Sequence, residues 1–225
     1  MILKDLLQRV PVTDWTGDLA ADIQGIAYDS RSVNKGDIFV AIPGRKADGA
    51  AFIAQAVEKG AIAVAAEQMP EPAPGVSAIT VADARQFLAE LSHVFYEDPC
   101  SRLKLAGITG TKGKTTTSHL LDSIFRQAGI AACLTGTIGM KIVDERFPSV
   151  HTTPEAPDLL RFLHEAVTKN CTHGVVEVSS HALAQKRVYG FRFRTGVFLN
   201  LTHDHLDYHN TMEDYFKAKQ LLFLK

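Results

Sequence analysis

One stretch of the chain constrains the fold more than any other. Residues 107–117 read Gly-Ile-Thr-Gly-Thr-Lys-Gly-Lys-Thr-Thr-Thr, after an apolar run at residues 103–108 and before a helical pattern that extends to about Gln127. A glycine-rich turn between a strand and a helix is typical of a phosphate-binding loop, because backbone N–H groups and the helix N-terminus face an anion there. Lys114 supplies a mobile cation, and the Thr115 hydroxyl can ligate Mg²⁺. The alternative is a lysine-capped turn without a ligand.

The loop departs from the strict Walker A spacing at one position. That motif requires a glycine five residues before its second glycine, and Ile108 stands there. The sequence therefore predicts a variant loop, Gly-Thr-Lys-Gly-Lys-Thr at residues 110–115, rather than the standard one.

Composition excludes several classes of protein. The formal net charge of the 225 residues is −1, which gives no reason to expect a nucleic-acid partner or an anionic membrane surface. The three cysteines are scattered without a Cys-x-x-Cys spacing, as in a reducing compartment. Because the N-terminus has no long apolar segment and no run reaches membrane-spanning length, we expect a cytoplasmic protein without membrane insertion.

Strand and helix patterns alternate along the chain and predict an α/β protein with two domains. We expect a small N-terminal α/β domain at residues 1–98. A linker rich in polar residues at 97–101 leads into a second domain at 99–225, with a mostly parallel, P-loop-type central sheet and flanking helices. Too few strands follow the loop to complete such a sheet, so we expect the chain to be a fragment of a longer enzyme.

Glu177 lies inside the apolar strand at residues 174–178. A carboxylate there is costly unless it is paired or bound to a cation. Since a phosphate loop requires a metal nearby, we interpret Glu177 as a Mg²⁺ ligand or an organiser of the attacked phosphate. The alternative is an edge-strand residue that faces water.

A run of histidines and aspartates at residues 200–209 offers several possible metal ligands. It almost matches the His-x-His-x-Asp-His signature of dinuclear zinc hydrolases, but Tyr208 occupies the last histidine position. Zinc would also leave the phosphate loop without a role. We therefore favour His205 as a ligand of a hard cation, with His203 and His209 solvent-exposed or outside the metal's direct ligands.

The final helical pattern, at residues 211–225, carries a lysine on its apolar face. Lys219 shares that face with Tyr215 and Leu222, which predicts an inward-pointing side chain, whereas Lys217 is predicted to be solvated beside Glu213. A partly desolvated lysine has a lowered pKa and can react as a free amine. The alternative is a lysine that extends its amine back to solvent.

Together these motifs resemble the Mur ligase family. They are residues 110–116, Glu177-Val-Ser-Ser-His-Ala, and residues 200–209 followed by Lys217-Ala-Lys219, in the family's order. The Asp29-Ser30-Arg31 and Gly-Asp-Ile-Phe-Val-Ala segments of the first domain also look like the family. The resemblance extends over essentially the whole chain.

The resemblance implies a set of site residues. ATP would be bound by Gly110, Thr111, Lys112, Gly113, Lys114, Thr115 and Thr116. Metal ligands would be Thr115, Glu177, His205 and Lys219, with Lys219 carbamylated by CO₂ so that it can hold one of two Mg²⁺ ions. The uridine diphosphate would contact Tyr28, Ser30, Arg45, Lys46 and Ala47, and the muramoyl-dipeptide would contact Thr152, Thr153, Ser179, Gln185 and Arg187. The catalytic set would be Lys114, Glu177, His205 and Lys219.

The resemblance also implies a reaction. The family branch most similar to this sequence adds a diamino acid, meso-diaminopimelate or L-lysine, to UDP-N-acetylmuramoyl-L-alanyl-D-glutamate. A substrate carboxylate would attack the γ-phosphate of ATP, and an amine would then displace phosphate from the acyl phosphate. We expect a monomer that is inactive as this fragment.

Three alternatives remain at the level of sequence. A ligase similar to folylpolyglutamate synthase would not need the first domain. A P-loop switch protein would leave the first 98 residues and the histidine run unused. A non-catalytic sugar-nucleotide module would bind its ligand without ATP or Mg²⁺.

Overall fold

The structure, a computed structural model, describes residues 1–44, 48–70, 74–149 and 151–224. The chain divides into two compact units, Met1–Phe95 and Tyr96–Lys225. The functional division predicted at residues 98 and 99 stays a prediction, and the units divide three residues earlier. Among the described residues, no helix has both the length and the apolar character to cross a membrane.

The first unit is a five-stranded sheet with helices packed on it. Its helices are α1 (Leu3–Leu7), α2 (Ile53–Glu58) and α3 (Ala84–Phe95), with a 3₁₀ turn at Gly49–Phe52. Its strands are β1 (Asp14–Thr16), β2 (Gly25–Ala27), β3 (Asp37–Val40), β4 (Ala63–Ala66) and β5 (Ser77–Thr80). The order is β1-β5-β4-β3-β2, and only β1 runs antiparallel to its neighbour. β3 and β4 are buried along their whole length, as central parallel strands covered on both faces are.

The second unit is a six-stranded sheet. Its strands are β6 (Lys104–Thr109), β7 (Ala132–Gly136), β8 (Gly139–Ile142), β9 (Glu145–Phe147), β10 (His173–Glu177) and β11 (Phe193–Phe198). Its helices are α4 (Lys114–Gln127), α5 (Ala156–Thr168), α6 (Ser180–Ala184), α7 (Leu206–His209) and α8 (Met212–Gln220). The order is β11-β6-β10-β7-β8-β9, with β11, β6, β10 and β7 parallel. This confirms the predicted α/β fold with a mostly parallel central sheet.

The two faces of this sheet are covered differently. α5 packs into the larger core through Leu159, Leu160 and Leu163, all 0% exposed. On the other face, Ile108, Leu134 and Val175 form a smaller core with partly buried side chains of α4. α4 therefore packs on this second face of the sheet, and it begins at Lys114, shortly after the end of β6.

Several local predictions from the sequence were wrong. Between Gly139 and His151 the sequence pattern predicts a less regular segment, yet β8 and β9 form an antiparallel hairpin on the sheet there. The helix expected at 211–225 ends at Gln220, and the short α7 was not expected. The apolar run at residues 195–201 predicts a strand, and β11 confirms it at Phe193–Phe198, although β11 has only one neighbour in the described sheet and is mostly exposed.

Candidate functional site

The glycine-rich loop joins β6 to α4, as its sequence predicts. α4 begins at Lys114, and Gly113 immediately before it has φ +87°, a left-handed conformation that favours glycine. The segment after β11 holds the loop from the other side. The Lys112 N–H donates to Asn200 Oδ1 at 3.0 Å, and Asn200 Nδ2 donates to the Lys112 carbonyl at 3.1 Å. The loop is thus fixed by side-chain contacts and not only by its glycines.

Two lysines converge on one carbonyl of the loop. Lys114 Nζ and Lys219 Nζ each donate to the Gly110 carbonyl oxygen at 2.9 Å. Lys219 is 1% exposed, and its Nζ lies 4.5 Å from the centroid of the Tyr215 ring. Burial lowers the pKa of Lys219 to about 8, with a further contribution from Lys114, whose own pKa burial also lowers. The prediction that Lys219 points inward is confirmed.

Lys217 lies two residues away from Lys219 and is exposed. Its Nζ is 3.5 Å from Glu213 Oε1, and both side chains are more than 60% exposed. The prediction that Lys217 is a solvated partner of Glu213 is confirmed, so the helix presents two lysines in opposite environments.

Glu177 is a fully buried carboxylate held by three hydroxyls. Its Oε2 accepts from Thr115 Oγ1 at 2.9 Å and from Thr137 Oγ1 at 3.1 Å, and its Oε1 accepts from Ser118 Oγ at 3.0 Å. β10 lies between β6 and β7, so the alternative of an edge-strand residue facing water is wrong. A Cβ on Gly136 would overlap the carboxylate, so only glycine leaves room for it.

The oxygen atoms of Glu177 and its neighbours are suitable ligands for a hard cation. A carboxylate and a threonine hydroxyl are oxygen ligands of the kind Mg²⁺ takes, and Thr115 and Glu177 already lie in direct contact. The carboxylate is 0% exposed and its hydrogen-bond donors are neutral. A buried charge of this kind is suited to a positive ion. Lys219, as an ammonium, is not a ligand for a cation.

A second polar group lies at the far end of the same region. Thr153 Oγ1 donates to the Glu177 carbonyl at 2.7 Å and accepts from the Ser179 N–H at 3.1 Å. Arg187 Nη1 donates to the Thr153 carbonyl at 2.8 Å, and Arg187 Nη2 donates to Gln185 Oε1 at 2.7 Å. The structure therefore brings together four of the five residues expected at the dipeptide, and the fifth, Thr152, bonds to Thr137 at 3.1 Å.

One cavity of about 410 Å³ connects these groups. Its lining residues are Thr111, Gly113, Lys114, Thr115, Thr116, Thr137, His151, Thr152, Thr153, Ser179, His181, Gln185, Arg187 and His205. Two of the residues expected at ATP, Gly110 and Lys112, do not line this cavity. Two of the expected metal ligands, Glu177 and Lys219, do not line it either, because their side chains are buried behind its wall.

The histidine run divides between the surface and the interior. His205 lines the cavity, with its ring 4.9 Å from that of His181. Burial and the neighbouring His205 and His209 lower the pKa of His181 to about 4. His209 is buried, with Nε2 2.9 Å from Ser180 Oγ, whereas His203 is exposed. Among the described residues, no three histidines or aspartates of this run lie close enough together to share an ion.

A separate cavity of about 500 Å³ lies in the first unit. Tyr28, Ser30, Phe39, Phe52 and Gln55 are among its lining residues, and Ser30 Oγ donates to Gln55 Oε1 at 2.6 Å. It therefore contains Tyr28 and Ser30, two of the residues expected at the uridine diphosphate. The other three, Arg45, Lys46 and Ala47, lie outside the described residues.

The sequence reasoning missed several residues of the site. Ser118 follows Thr115 by one helical turn, a spacing that could have shown both facing Glu177. Thr137 and Glu155 carry no such signal, because their contacts with Glu177 and Arg187 depend on the tertiary fold.

A known protein-family description matches most of each of the two units. The family description "Mur ligase middle domain" matches residues 108–225, more than half of the chain, and "Mur ligase family, catalytic domain" matches residues 22–96. The chain belongs to the Mur ligase family.

Individual relatives agree with this assignment. The UDP-N-acetylmuramoyl-L-alanyl-D-glutamate–2,6-diaminopimelate ligase of Cytophaga hutchinsonii is 44% identical over 99% of this Mur ligase chain and 46% of its own length. The ligase of the same name from Solibacter usitatus is 48% identical over 90% of this chain and 41% of its own length. A solved structure of a ligase with this name superimposes with a TM-score of 0.83 at 30% identity, over 99% of this chain and 45% of that one. The chain thus spans about half the length of the relatives it matches.

Proposed function

We propose that this chain forms part of an ATP-dependent amide ligase that extends UDP-N-acetylmuramoyl-L-alanyl-D-glutamate in peptidoglycan precursor synthesis. One observation carries the proposal: Lys114 and the buried Lys219 meet at the Gly110 carbonyl of the phosphate loop, at one end of the cavity that ends at Arg187. That arrangement suits a phosphate donor next to a carboxylate acceptor.

ATP would lie at the loop end of the cavity. Residues 110–116 would surround its phosphates with backbone N–H groups, and the start of α4 adds the partial positive charge of a helix N-terminus. Lys114 would exchange its bonds to the Gly110 and Thr111 carbonyls for phosphate oxygens. Its ammonium would then counter the negative charge that develops on phosphoryl transfer.

Two Mg²⁺ ions are part of the proposal. Thr115 and Glu177 would hold one ion, and His205 together with Lys219, once carbamylated by CO₂, would help hold the other. Bound there, Mg²⁺ would neutralise charge on the phosphates and the attacking carboxylate. The lowered pKa of Lys219 leaves more of it as the free amine that reacts with CO₂, and the neighbouring ammonium of Lys114 would stabilise the carbamate anion.

The peptide carboxylate would lie at the other end. The residues that would orient the D-glutamate are Thr152, Thr153, Ser179, Gln185 and Arg187. One of its carboxylates would then attack the γ-phosphate of ATP, which releases ADP and forms an acyl phosphate. The acyl phosphate would then be attacked by an amine, with loss of phosphate. The names of the relatives favour 2,6-diaminopimelate over L-lysine as the amine donor.

The first unit would recognise the uridine diphosphate. Aromatic side chains such as Tyr28 and Phe52 offer surfaces for a base, and Ser30 offers a hydroxyl. Arg45, Lys46 and Ala47 would complete this contact. We also infer a cytoplasmic monomer without a nucleic-acid partner; the formal net charge of −1 gives no reason to expect a polyanionic partner.

Calorimetry on the purified chain tests the proposal. We expect the chain to bind a non-hydrolysable ATP analogue in the presence of Mg²⁺, and to bind UDP-N-acetylmuramoyl-L-alanyl-D-glutamate separately. Lys114→Met should weaken binding of the ATP analogue by about 100-fold, since it removes a charged hydrogen-bond donor. Lys217→Met, an exposed lysine of α8, is the matched control and should bind like the wild type. Absence of binding of the uridine ligand would overturn the proposal.

A further inference from the structure

The guanidinium of Arg187 is held in place by three other residues of the chain. Its Nε and Nη2 donate to Gln185 Oε1 at 3.1 and 2.7 Å, its Nη1 donates to the Thr153 carbonyl at 2.8 Å, and its Nε lies 2.9 Å from Glu155 Oε1. The side chains of Arg187 and Glu155 are only 13% and 11% exposed. We propose that Glu155 is a positioning residue that fixes Arg187 for the glutamate carboxylates of the peptide substrate. This inference rests on the proposed function.

The pattern of donors on Arg187 points to a carboxylate. A guanidinium has five N–H groups, and the hydrogen bonds above use the one on Nε and one on each terminal nitrogen. Nη1 and Nη2 each carry one further N–H, and because Arg187 lines the cavity we infer that these two face a ligand there. Two parallel N–H groups at the end of a guanidinium match the two oxygens of a carboxylate. Arg187 also lines the cavity, whereas Glu155 does not.

Glu155 supplies a negative charge beside Arg187, which its neutral partners cannot do. Thr153 and Gln185 provide oxygen atoms that set the direction of the guanidinium but no opposite charge. A mostly buried cation without a counter-charge is unfavourable and would turn toward solvent. Glu155 itself is well fixed, because it follows Pro154 and its carbonyl accepts the Leu159 N–H at the start of α5.

The pair also determines how the site discriminates between ligands. With Glu155 beside it, Arg187 contributes directed N–H groups rather than a net positive charge. The site then recognises a carboxylate at one position and not anions in general. Glu155→Gln keeps the size and an oxygen but removes the charge, so it should free Arg187 and reduce this discrimination.

The test compares two ligands by calorimetry with the purified chain. They are UDP-N-acetylmuramoyl-L-alanyl-D-glutamate and UDP-N-acetylmuramoyl-L-alanine, which lacks the glutamate carboxylates. We expect Glu155→Gln to weaken binding of the first by about tenfold and of the second by less than about twofold. Glu165→Gln is the matched control, because Glu165 lies on the same helix in an exposed ion pair with Lys169 at 2.9 Å. It should leave both affinities unchanged.

The outcomes separate this inference from the proposed function. If the wild-type chain binds neither ligand, the proposed function fails. If the wild type binds both and Glu155→Gln binds both equally well, or loses both equally, the positioning role is wrong. Glu155→Asp, which keeps the charge but withdraws it by one methylene, serves if Glu155→Gln does not fold. It should show the same selective loss, and an equal effect on both ligands would again contradict the inference.

Discussion

The two candidate ligand cavities, one in each unit, differ in where their charges lie. The cavity of the second unit is backed by buried ionisable groups, with Glu177 0% and Lys219 1% exposed behind its wall. The cavity of the first unit is lined by aromatic side chains, and its ion pair between Asp29 and Arg31 is at the surface, with Arg31 82% exposed. The first unit therefore has the features of a binding surface, and the second has those of a site where charge is redistributed.

This difference has an energetic meaning. Buried charges destabilise the folded state unless other groups compensate them. A bound ion or phosphate can therefore stabilise the second unit. A surface ion pair such as that of Asp29 and Arg31 contributes little to the free energy of folding. We therefore expect substitutions near the second cavity to change stability and titration, and substitutions in the first to change ligand affinity alone.

The largest effect is expected at Gly136. Gly136→Ala puts a methyl group into the volume of the Glu177 carboxylate, and β7 is paired on both sides, so the backbone cannot move away. We expect the free energy of unfolding to fall by about 2–3 kcal/mol, measured by urea denaturation.

Gly129→Ala is the control for Gly136→Ala. Gly129 has φ +69° and no atom within 4 Å of an added Cβ, so it tests backbone strain without crowding. We expect it to cost about 1 kcal/mol. Equal costs at the two positions would show that the Glu177 side chain can move aside and that its packing against Gly136 is not rigid.

A smaller effect is expected from the titration of Lys219. Its pKa of about 8 in the folded chain is below the ordinary 10.5, so between these values the unfolded chain binds the extra proton and stability rises with pH. Lys219→Met lacks this dependence. In CO₂-free buffer we expect it to be more stable than the wild type by about 1–2 kcal/mol at pH 7, with the difference shrinking as the pH passes 8.

Lys217→Met provides the comparison for that titration. Lys217 is exposed in the folded wild type, so the stability of Lys217→Met relative to the wild type should not change over the same pH range. A wild type that shows no gain relative to Lys219→Met above pH 8 would mean that Lys219 is not desolvated.

The smallest effect is expected in the first unit. Ser30→Ala removes the hydroxyl that contacts Gln55 and faces the cavity, so the affinity for uridine diphosphate should fall about fivefold, near 1 kcal/mol. Ser32→Ala is the control, because Ser32 does not line the cavity and its hydroxyl donates to the Asp29 carbonyl. Calorimetry with uridine diphosphate measures both. Equal affinities for the two variants would remove Ser30 from the recognition surface.

The sequence predicted the parts of the site that depend on local pattern. Residues 107–117 specify a strand, a turn and a helix by themselves, and Lys219 is identified as buried by the spacing of Tyr215 on the same helix. The parallel order of the strands then brings Glu177 next to the loop, because carboxyl ends of parallel strands share one edge of the sheet.

The parts that could not be predicted depend on contacts distant in sequence. Ion pairing of Glu155 with Arg187 joins residues on either side of β10, and neither residue type indicates the other. The β8–β9 hairpin was missed because its sequence, with Lys141, Arg146 and Asp144, alternates weakly and lacks a strong turn signal such as Asn-Gly. β8 is only partly buried and pairs with β7, whereas β9 is mostly exposed and pairs with β8, so long-range pairing rather than a burial pattern determines both strands.

The bonds that fix the phosphate loop also bear on the order in which the chain folds. Lys112 is bonded to Asn200, Thr111 to Tyr215 and Gly110 to Lys219, with sequence separations of 88, 104 and 109 residues. Contacts over such distances form late, because a long segment must be ordered before they can close. During synthesis on the ribosome, β6 and α4 can form early, but the loop between them reaches its final shape only after residue 219 has emerged. A nascent chain therefore gains the folded geometry of this loop well after it has acquired the sequence motif that defines it.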